Sequence, residues 1–98
     1  MRLFITPLAE QDLEQIADYI AQDNPKRANS FVNEMLAQCR KICLKPAAYR
    51  LRPELSNELR SCAHGRYVIF FESSEEQVTI IRILHGAREL STKFRENE

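Results

Sequence analysis

Glycine, proline and cysteine are scarce in this sequence, and long apolar runs are missing. With two glycines and four prolines among 98 residues, no segment has the biased composition of a disordered tail. The three cysteines form an odd number without a CxxC pair, which argues against a disulfide scaffold and against a four-thiolate zinc site. The composition therefore predicts a compact globular protein with no metal and no cofactor.

No apolar run approaches the roughly 18 residues that a membrane-spanning helix needs. The apolar stretch at residues 1–6 is also too short for a signal peptide. A chain of 98 residues is long enough for one modest core and too short for two. The sequence thus predicts a single domain over residues 1–98, with no membrane contact and a cytoplasmic location.

The formal net charge is zero, but the charges are unevenly distributed. Residues 1–34 carry six acidic and three basic side chains, whereas residues 35–66 carry seven basic side chains against Glu54 and Glu58. This asymmetry suggests a basic surface that could meet an acidic protein segment or a phosphate backbone. A solvated loop region explains the same charges equally well.

Apolar periodicity predicts two helices joined by a short turn. Residues 2–6 are rich in β-branched and aromatic side chains, which predicts a strand. Thr6 then caps a helix that runs from Pro7 to about residue 22. Asn24 and Pro25 repeat this cap for a second helix, which ends near Lys45. Because the connection is so short, the two helices must lie roughly antiparallel, as a helical hairpin.

The second half of the chain predicts three strands. Residues 46–57 have no clean period and contain two prolines, which indicates a loop with an irregular turn. Three strand-like runs follow, at residues 58–63, 66–72 and 77–84. The order β-α-α-β-β-β predicts an α+β fold, in which an N-terminal strand and the antiparallel helical hairpin precede a mainly antiparallel sheet of three strands.

One charged residue, Arg82, interrupts the most apolar of these runs. Strand alternation divides the sheet into two faces. The face against the helices is predicted to consist of Leu59, Val68, Phe70, Ile81 and Ile83. The uncovered face is predicted to consist of Arg60, Cys62, Tyr67, Ile69, Ile80, Arg82 and Leu84. Arg82 would then lie beside Tyr67, as part of a binding site or as a solvated side chain paired with Glu58.

Three stretches of the chain resemble the ParE group of the RelE/ParE toxin superfamily. They are Phe4–Leu13 (FITPLAEQDL), Gly65–Phe71 (GRYVIFF) and Ile81–Leu90 (IRILHGAREL). They follow the family's order over essentially the whole chain, and the closing HGARE is the most specific piece. The fold that the resemblance implies, a helical hairpin on an antiparallel sheet, agrees with the fold predicted from the residues.

The resemblance implies a toxin of a type II toxin–antitoxin module, a class that includes plasmid-stabilisation systems. It implies a chain that is not an enzyme but poisons bacterial DNA gyrase, and a ParD-like antitoxin that neutralises the chain and links the complex indirectly to DNA. The residues predicted to contact the target are Arg60, Arg82, His85, Arg88 and Phe94. The residues predicted to contact an acidic, amphipathic antitoxin segment are Leu13, Ile20, Arg40, Arg50 and Arg52.

A ribosome-dependent mRNA endonuclease of the RelE kind is the alternative. Cleavage by 2′-hydroxyl attack requires a general base, a general acid and a cation at the phosphate. Arg60, Tyr67, Arg82 and His85 could fill these roles. Two features count against the nuclease: His85 is followed by glycine, and residues 90–98 supply no replacement tyrosine. An inactive or purely partner-binding relative is a further alternative, since a fold can host several functions.

Overall fold

The computed structural model describes residues 1–86 and shows two helices packed on a five-stranded sheet. In chain order the elements are β1 (Arg2–Ile5), α1 (Pro7–Asp23), α2 (Pro25–Leu44), a 3₁₀ turn (Pro46–Ala48), β2 (Arg50–Leu51), β3 (Arg60–His64), β4 (Tyr67–Ser73) and β5 (Gln77–His85). The predicted α+β architecture is confirmed. The two-residue β2 was not predicted, because a strand so short has no period to detect.

Local side-chain caps begin both helices where the sequence predicted them. Thr6 Oγ1 accepts a hydrogen bond from the backbone N–H of Ala9 at 3.1 Å, and Asn24 Oδ1 accepts one from Arg27 N at 3.1 Å. Asn24 also closes α1, since its own N–H donates to Ile20 O. A single residue therefore ends one helix and starts the next, which makes the pair a tight hairpin.

The strand order across the sheet is β1-β5-β4-β3-β2. Strands β2 to β5 form an antiparallel meander, whereas β1 pairs with β5 in parallel, with Ile5 opposite Ile80. The sheet is therefore mixed. This follows from the path of the chain. The helical hairpin carries the chain from β1 to the far edge of the sheet, and the meander then returns to β1.

The main core lies between the helices and one face of the sheet. The buried helix residues in it are Ala9, Leu13, Phe31, Met35, Cys39 and Ile42. The buried sheet residues in it are Cys62, Ile69, Phe71, Val78, Ile80 and Ile83. A smaller cluster on the other face consists of Leu59, Phe70 and Leu84, with Leu55, Val68 and Ile81 packed against it.

The predicted faces of β3 and β4 were grouped correctly but assigned to the wrong sides. Cys62, Tyr67 and Ile69 do share one face, yet that face packs against the helices. Leu59, Val68 and Phe70 were predicted to face the helices and lie on the opposite side. Alternation groups residues by face, but both groups here are apolar, so the pattern could not tell which group the helices cover.

A β-bulge in β5 then reverses the alternation near its end. Phe71 pairs with Ile80 and Phe70 pairs with Arg82, so that Ile81 is an extra residue. Up to this shift β5 carries the same error as β3 and β4, so Ile80 and Ile81 lie on the sides opposite to those predicted. The sides predicted for Ile83 and Leu84 are correct, because the bulge cancels the first error for the residues that follow it.

Candidate functional site

The candidate site lies at the end of the sheet where the β3–β4 turn meets the end of β5. Tyr67 pairs with His64 across the turn and with His85 on its other side. The backbone N–H of Gly86 donates to Arg66 O at 2.9 Å, which joins the turn to the residue after β5. Gly65 makes this turn possible, with a φ of +59° that favours glycine.

Ring contacts hold Tyr67 in place. Its ring makes an edge contact with His85 at a centroid distance of 5.5 Å and another with Phe31 of α2 at 5.3 Å. Phe31 is buried and belongs to the main core. The Tyr67–His85 pair is therefore anchored to α2 through contacts of a geometry that aromatic rings prefer.

A cleft of about 260 Å³ opens beside this pair, between α1 and the ends of β4 and β5. Its lining residues besides Tyr67 and His85 are Asp12, Gln15, Ile16, Tyr19, Arg66 and Ile83. Tyr19 is 68% exposed, and the Arg66 guanidinium has no ion-pair or hydrogen-bond partner within residues 1–86. The cleft thus presents aromatic, apolar and cationic groups together.

Arg82 has a different environment from the one predicted. It is only 6% exposed, and its Nε and Nη2 atoms donate to the two carboxylate oxygens of Asp12 in α1, at 2.7 and 2.9 Å. The prediction of a solvated arginine beside Tyr67 is therefore wrong. A charge within an apolar strand is tolerated here because a buried carboxylate from the helix neutralises it.

Arg60 lies at the far end of β3 from the candidate site. It pairs with Phe71, and its Nη1 donates to the carbonyl oxygen of Tyr49 at 2.7 Å. The structure therefore brings together Tyr67 and His85, holds Arg82 in a buried ion pair and leaves Arg60 apart from them. Arg88 and Phe94, also predicted to contact a target, lie outside the described residues.

The two apolar residues predicted to contact an antitoxin, Leu13 and Ile20, both belong to α1. Leu13 lines an apolar groove of about 290 Å³ between α1 and α2, together with Ile5, Ala17, Val32 and Leu36 and the acidic Glu10 and Glu14. Ile20, also in α1, packs against the main core.

The basic residues predicted for the antitoxin differ in how they are engaged. Arg40 and Arg50 are exposed. Arg52 donates from Nε to Glu54 Oε2 at 2.8 Å and from Nη1 to Ser61 Oγ at 3.3 Å. This hydrogen bond with Arg52 lowers the pKa of the Glu54 carboxyl. Arg52 is therefore held by its own chain, whereas the other two are presented to solvent.

An ion cluster on α2 flanks the site. Glu34 accepts hydrogen bonds from Arg27 and lies 3.4 Å from His64 Nε2. The hydrogen bond from Arg27 lowers the pKa of Glu34 and, reciprocally, raises that of Arg27. Arg27 also stands over the Phe31 ring at 5.8 Å. These contacts keep the exposed end of α2 next to the β3–β4 turn.

Asp12 is the important residue that the sequence prediction did not assign to a site. A signal for its burial was present, because Asp12 follows Ala9 by three positions and precedes Ile16 by four, which places it on the apolar face of α1. Gln15 and Tyr19 were also not predicted to belong to a site, and Arg66 was predicted only as part of the basic surface. Gln15 and Tyr19 are four positions apart in α1, but their proximity to Arg66 could not be predicted from a local pattern, since α1 and the β3–β4 turn are far apart in sequence.

The described residues show neither a metal cluster nor a membrane helix. Residues 1–86 contain no group of three or more His, Cys, Asp or Glu side chains that could hold a metal ion. Cys39, Cys43 and Cys62 are free thiols, and burial raises the pKa of each, that of Cys39 to about 12. Within this part of the chain, neither helix has the length and apolarity needed to cross a membrane.

Comparison with known proteins agrees with this fold. A solved structure of a chromosomal ParDE toxin–antitoxin system from P. aeruginosa is similar to the chain, with a TM-score of 0.74 and 23% sequence identity over 87% of this chain and 95% of that one. The search of curated proteins finds no match. The family of ParE toxins of type II toxin–antitoxin systems matches residues 3–90. The chain belongs to this ParE toxin family.

Proposed function

We propose that this toxin acts in the bacterial cytoplasm by binding and inhibiting DNA gyrase, and that a ParD-like antitoxin neutralises it. One observation carries the choice of binding over catalysis: the four side chains of the alternative nuclease do not form one constellation. Tyr67 and His85 touch each other, whereas Arg60 lies at the other end of β3. Arg82 forms a buried ion pair with Asp12.

Phosphodiester cleavage needs a cation placed where charge develops on the phosphate. The two guanidinium groups of the nuclease alternative are engaged within the protein, Arg82 by Asp12 and Arg60 by the Tyr49 carbonyl. Releasing Arg82 would leave the Asp12 carboxylate buried without its counter-charge, which is costly. This engagement supports a toxin that presents a surface rather than a reactive centre.

The surface that we propose for gyrase is the sheet end around His85. His85 is only partly buried, and its ring orientation is set by Tyr67, which in turn rests on Phe31. A side chain held in this way loses little conformational entropy on binding, which favours its use in an interface. Arg88 and Phe94 follow His85 closely in sequence, and they stay predictions for the same contact.

For the antitoxin we propose the α1–α2 groove as the main contact. Its lining is almost wholly apolar, and an amphipathic segment that folds on binding could offset its ordering cost there. The acidic side chains of the groove favour a segment that carries basic residues at this point. An acidic portion of the same segment would suit the exposed Arg40 and Arg50.

Two parallel assays on the purified chain test the proposal. One measures gyrase supercoiling and traps cleaved DNA, and the other measures translation and maps messenger ends. We expect trapped gyrase–DNA complexes with intact messages. His85→Ala should weaken gyrase inhibition at least about fivefold, equivalent to about 1 kcal/mol of binding. The matched control is His64→Ala, which removes the other histidine of the chain and should change inhibition much less.

Cut messages together with unaffected gyrase would refute the proposal and favour the nuclease. In that case Tyr67 and His85 would be the first residues to substitute. Equal inhibition by wild type and His85→Ala would keep gyrase as the target but move its contact away from the sheet end. Titration with a ParD-like antitoxin should restore supercoiling, and failure to do so would contradict the proposed neutralisation.

A further inference from the structure

The cleft between α1 and the sheet end shares His85 with the surface proposed for gyrase, and it adds groups from α1 and the β3–β4 turn that the proposed contact does not use. Its volume of about 260 Å³ falls just under the roughly 300–1,000 Å³ of pockets that hold drug-sized ligands. A space of this size suits a single large side chain. Ile16 and Ile83 provide apolar lining, and Tyr19, Tyr67 and His85 provide three rings.

The charges around the cleft favour an anionic ligand. Asp12 lines the cleft, but its carboxylate is neutralised by Arg82 and also accepts the backbone N–H of Ile83 at 3.1 Å. Arg66 is exposed and has no partner for its guanidinium among the described residues. Gln15, also exposed, adds a neutral amide. The surplus charge in the lining is therefore positive.

We propose that this cleft receives one aromatic side chain of an acidic protein segment, with Arg66 pairing the carboxylate next to that side chain. An aromatic ring could make edge or offset contacts with the rings already present. A protein segment fits better than a nucleic acid strand, which requires a track of several cations along its phosphates. This inference does not depend on which enzyme the toxin inhibits.

The chain itself makes the test sensitive, because it contains no tryptophan. A short peptide with one tryptophan between glutamates can be followed by its own fluorescence during titration with the full-length protein. We expect a saturable spectral change. A peptide with lysines in place of the glutamates should bind more weakly, and a glutamate peptide with alanine in place of tryptophan should fail to compete.

Charge-reversal variants distinguish binding in the cleft from non-specific electrostatic attraction. Arg66→Glu should reverse the preference, so that the lysine peptide binds more tightly than the glutamate peptide. Gln15→Glu should shift the preference in the same direction by about two- to fivefold, the range expected for one exposed charge pair. The matched control is Arg2→Glu, an exposed arginine in β1 that does not line the cleft, and it should leave the preference unchanged.

Several outcomes would overturn the proposal. The first is the absence of saturable binding to the wild-type chain, and the second is an equal response of the Arg66→Glu and Arg2→Glu variants. Displacement of the peptide by a nucleoside monophosphate at lower concentration than by a glutamate peptide with phenylalanine in place of tryptophan would assign the cleft to nucleotides. Binding that occurs only in a Phe94→Ser variant would assign it to the chain's own aromatic residue.

Discussion

Asp12 in α1 and Arg82 in β5 are joined by two hydrogen bonds between residues 70 positions apart in the chain. The contact lies where β5 continues beyond β1, whose last pair is Ile5 with Ile80. There the Asp12 carboxylate accepts the Ile83 N–H, and Thr6 Oγ1 donates to Ile81 O at 3.2 Å. Side chains at the start of α1 thus take over the backbone groups that a longer β1 would have paired.

Asp12→Asn should destabilise the fold strongly. The substitution keeps the shape of the side chain but leaves the buried Arg82 without its counter-charge, for which we expect a loss of about 3–5 kcal/mol in the free energy of unfolding. Urea unfolding followed by circular dichroism measures it. Asp18→Asn is the matched control, because Asp18 is exposed on the same helix, and a similar loss in both variants would contradict this account.

The same ion pair changes the expectation for Arg82. In the role predicted from the sequence, that of a target contact on the uncovered face, Arg82 could be replaced by alanine with little change in melting temperature. Because Arg82 is buried against Asp12, Arg82→Ala should instead lower the melting temperature, with toxicity lost through unfolding. Replacing both partners by apolar residues, as in the double variant Asp12→Leu/Arg82→Met, should recover much of the stability that either single substitution loses. Stability no better than that of Arg82→Ala alone would argue against a coupled pair.

Thr6→Val should cost about 1–2 kcal/mol, since it removes the cap of α1 and the link to β5 with one hydroxyl. The Thr6 hydroxyl accepts from Ala9 N and donates to Ile81 O. Thr6→Ser retains the hydroxyl and should lose much less. Chemical unfolding of the two variants provides the comparison, and equal losses would show that the methyl group matters instead.

Gly65→Ala should destabilise the hairpin between β3 and β4 by about 1–2 kcal/mol. A Cβ at this position meets no atom within 4 Å, so the cost comes only from the φ of +59°. Gly65→Asn should cost less, because asparagine enters this backbone region more readily. Thermal unfolding of both variants tests this, and a larger loss for asparagine would contradict a purely conformational cost.

Cys39 should make the fold less stable at alkaline pH. Burial raises the pKa of its thiol from 9.0 to about 12, so between these values the native state holds a proton that the unfolded state releases. The resulting stabilisation is complete below pH 9 and is lost as the pH rises towards 12. Between pH 9 and pH 12 the free energy of unfolding should therefore fall less with rising pH for Cys39→Ala than for wild type. Cys43→Ala, at a less buried position, should change the slope less.

The helices, their caps and the succession of elements along the chain could be predicted from the sequence because each depends on neighbours within a few positions. Thr6 and Asn24 cap helices through hydrogen bonds to residues three positions away. The bulge at Ile81 could not be predicted in this way, since it arises from the pairing of two strands and changes no local apolar pattern. One extra residue was enough to reverse the side on which the following positions lie.

Family membership, the helical hairpin and the grouping by face of the residues of β3 and β4 were thus already contained in the amino-acid order. Folding in three dimensions settled which of two apolar faces the helices cover, where Arg82 finds its counter-charge, and which residues line the cleft with Arg66. The physical reason is the distance along the chain over which each interaction acts. Periodicity and capping act over one or two turns of chain, whereas the Asp12–Arg82 pair and the cleft exist only after distant segments have packed together.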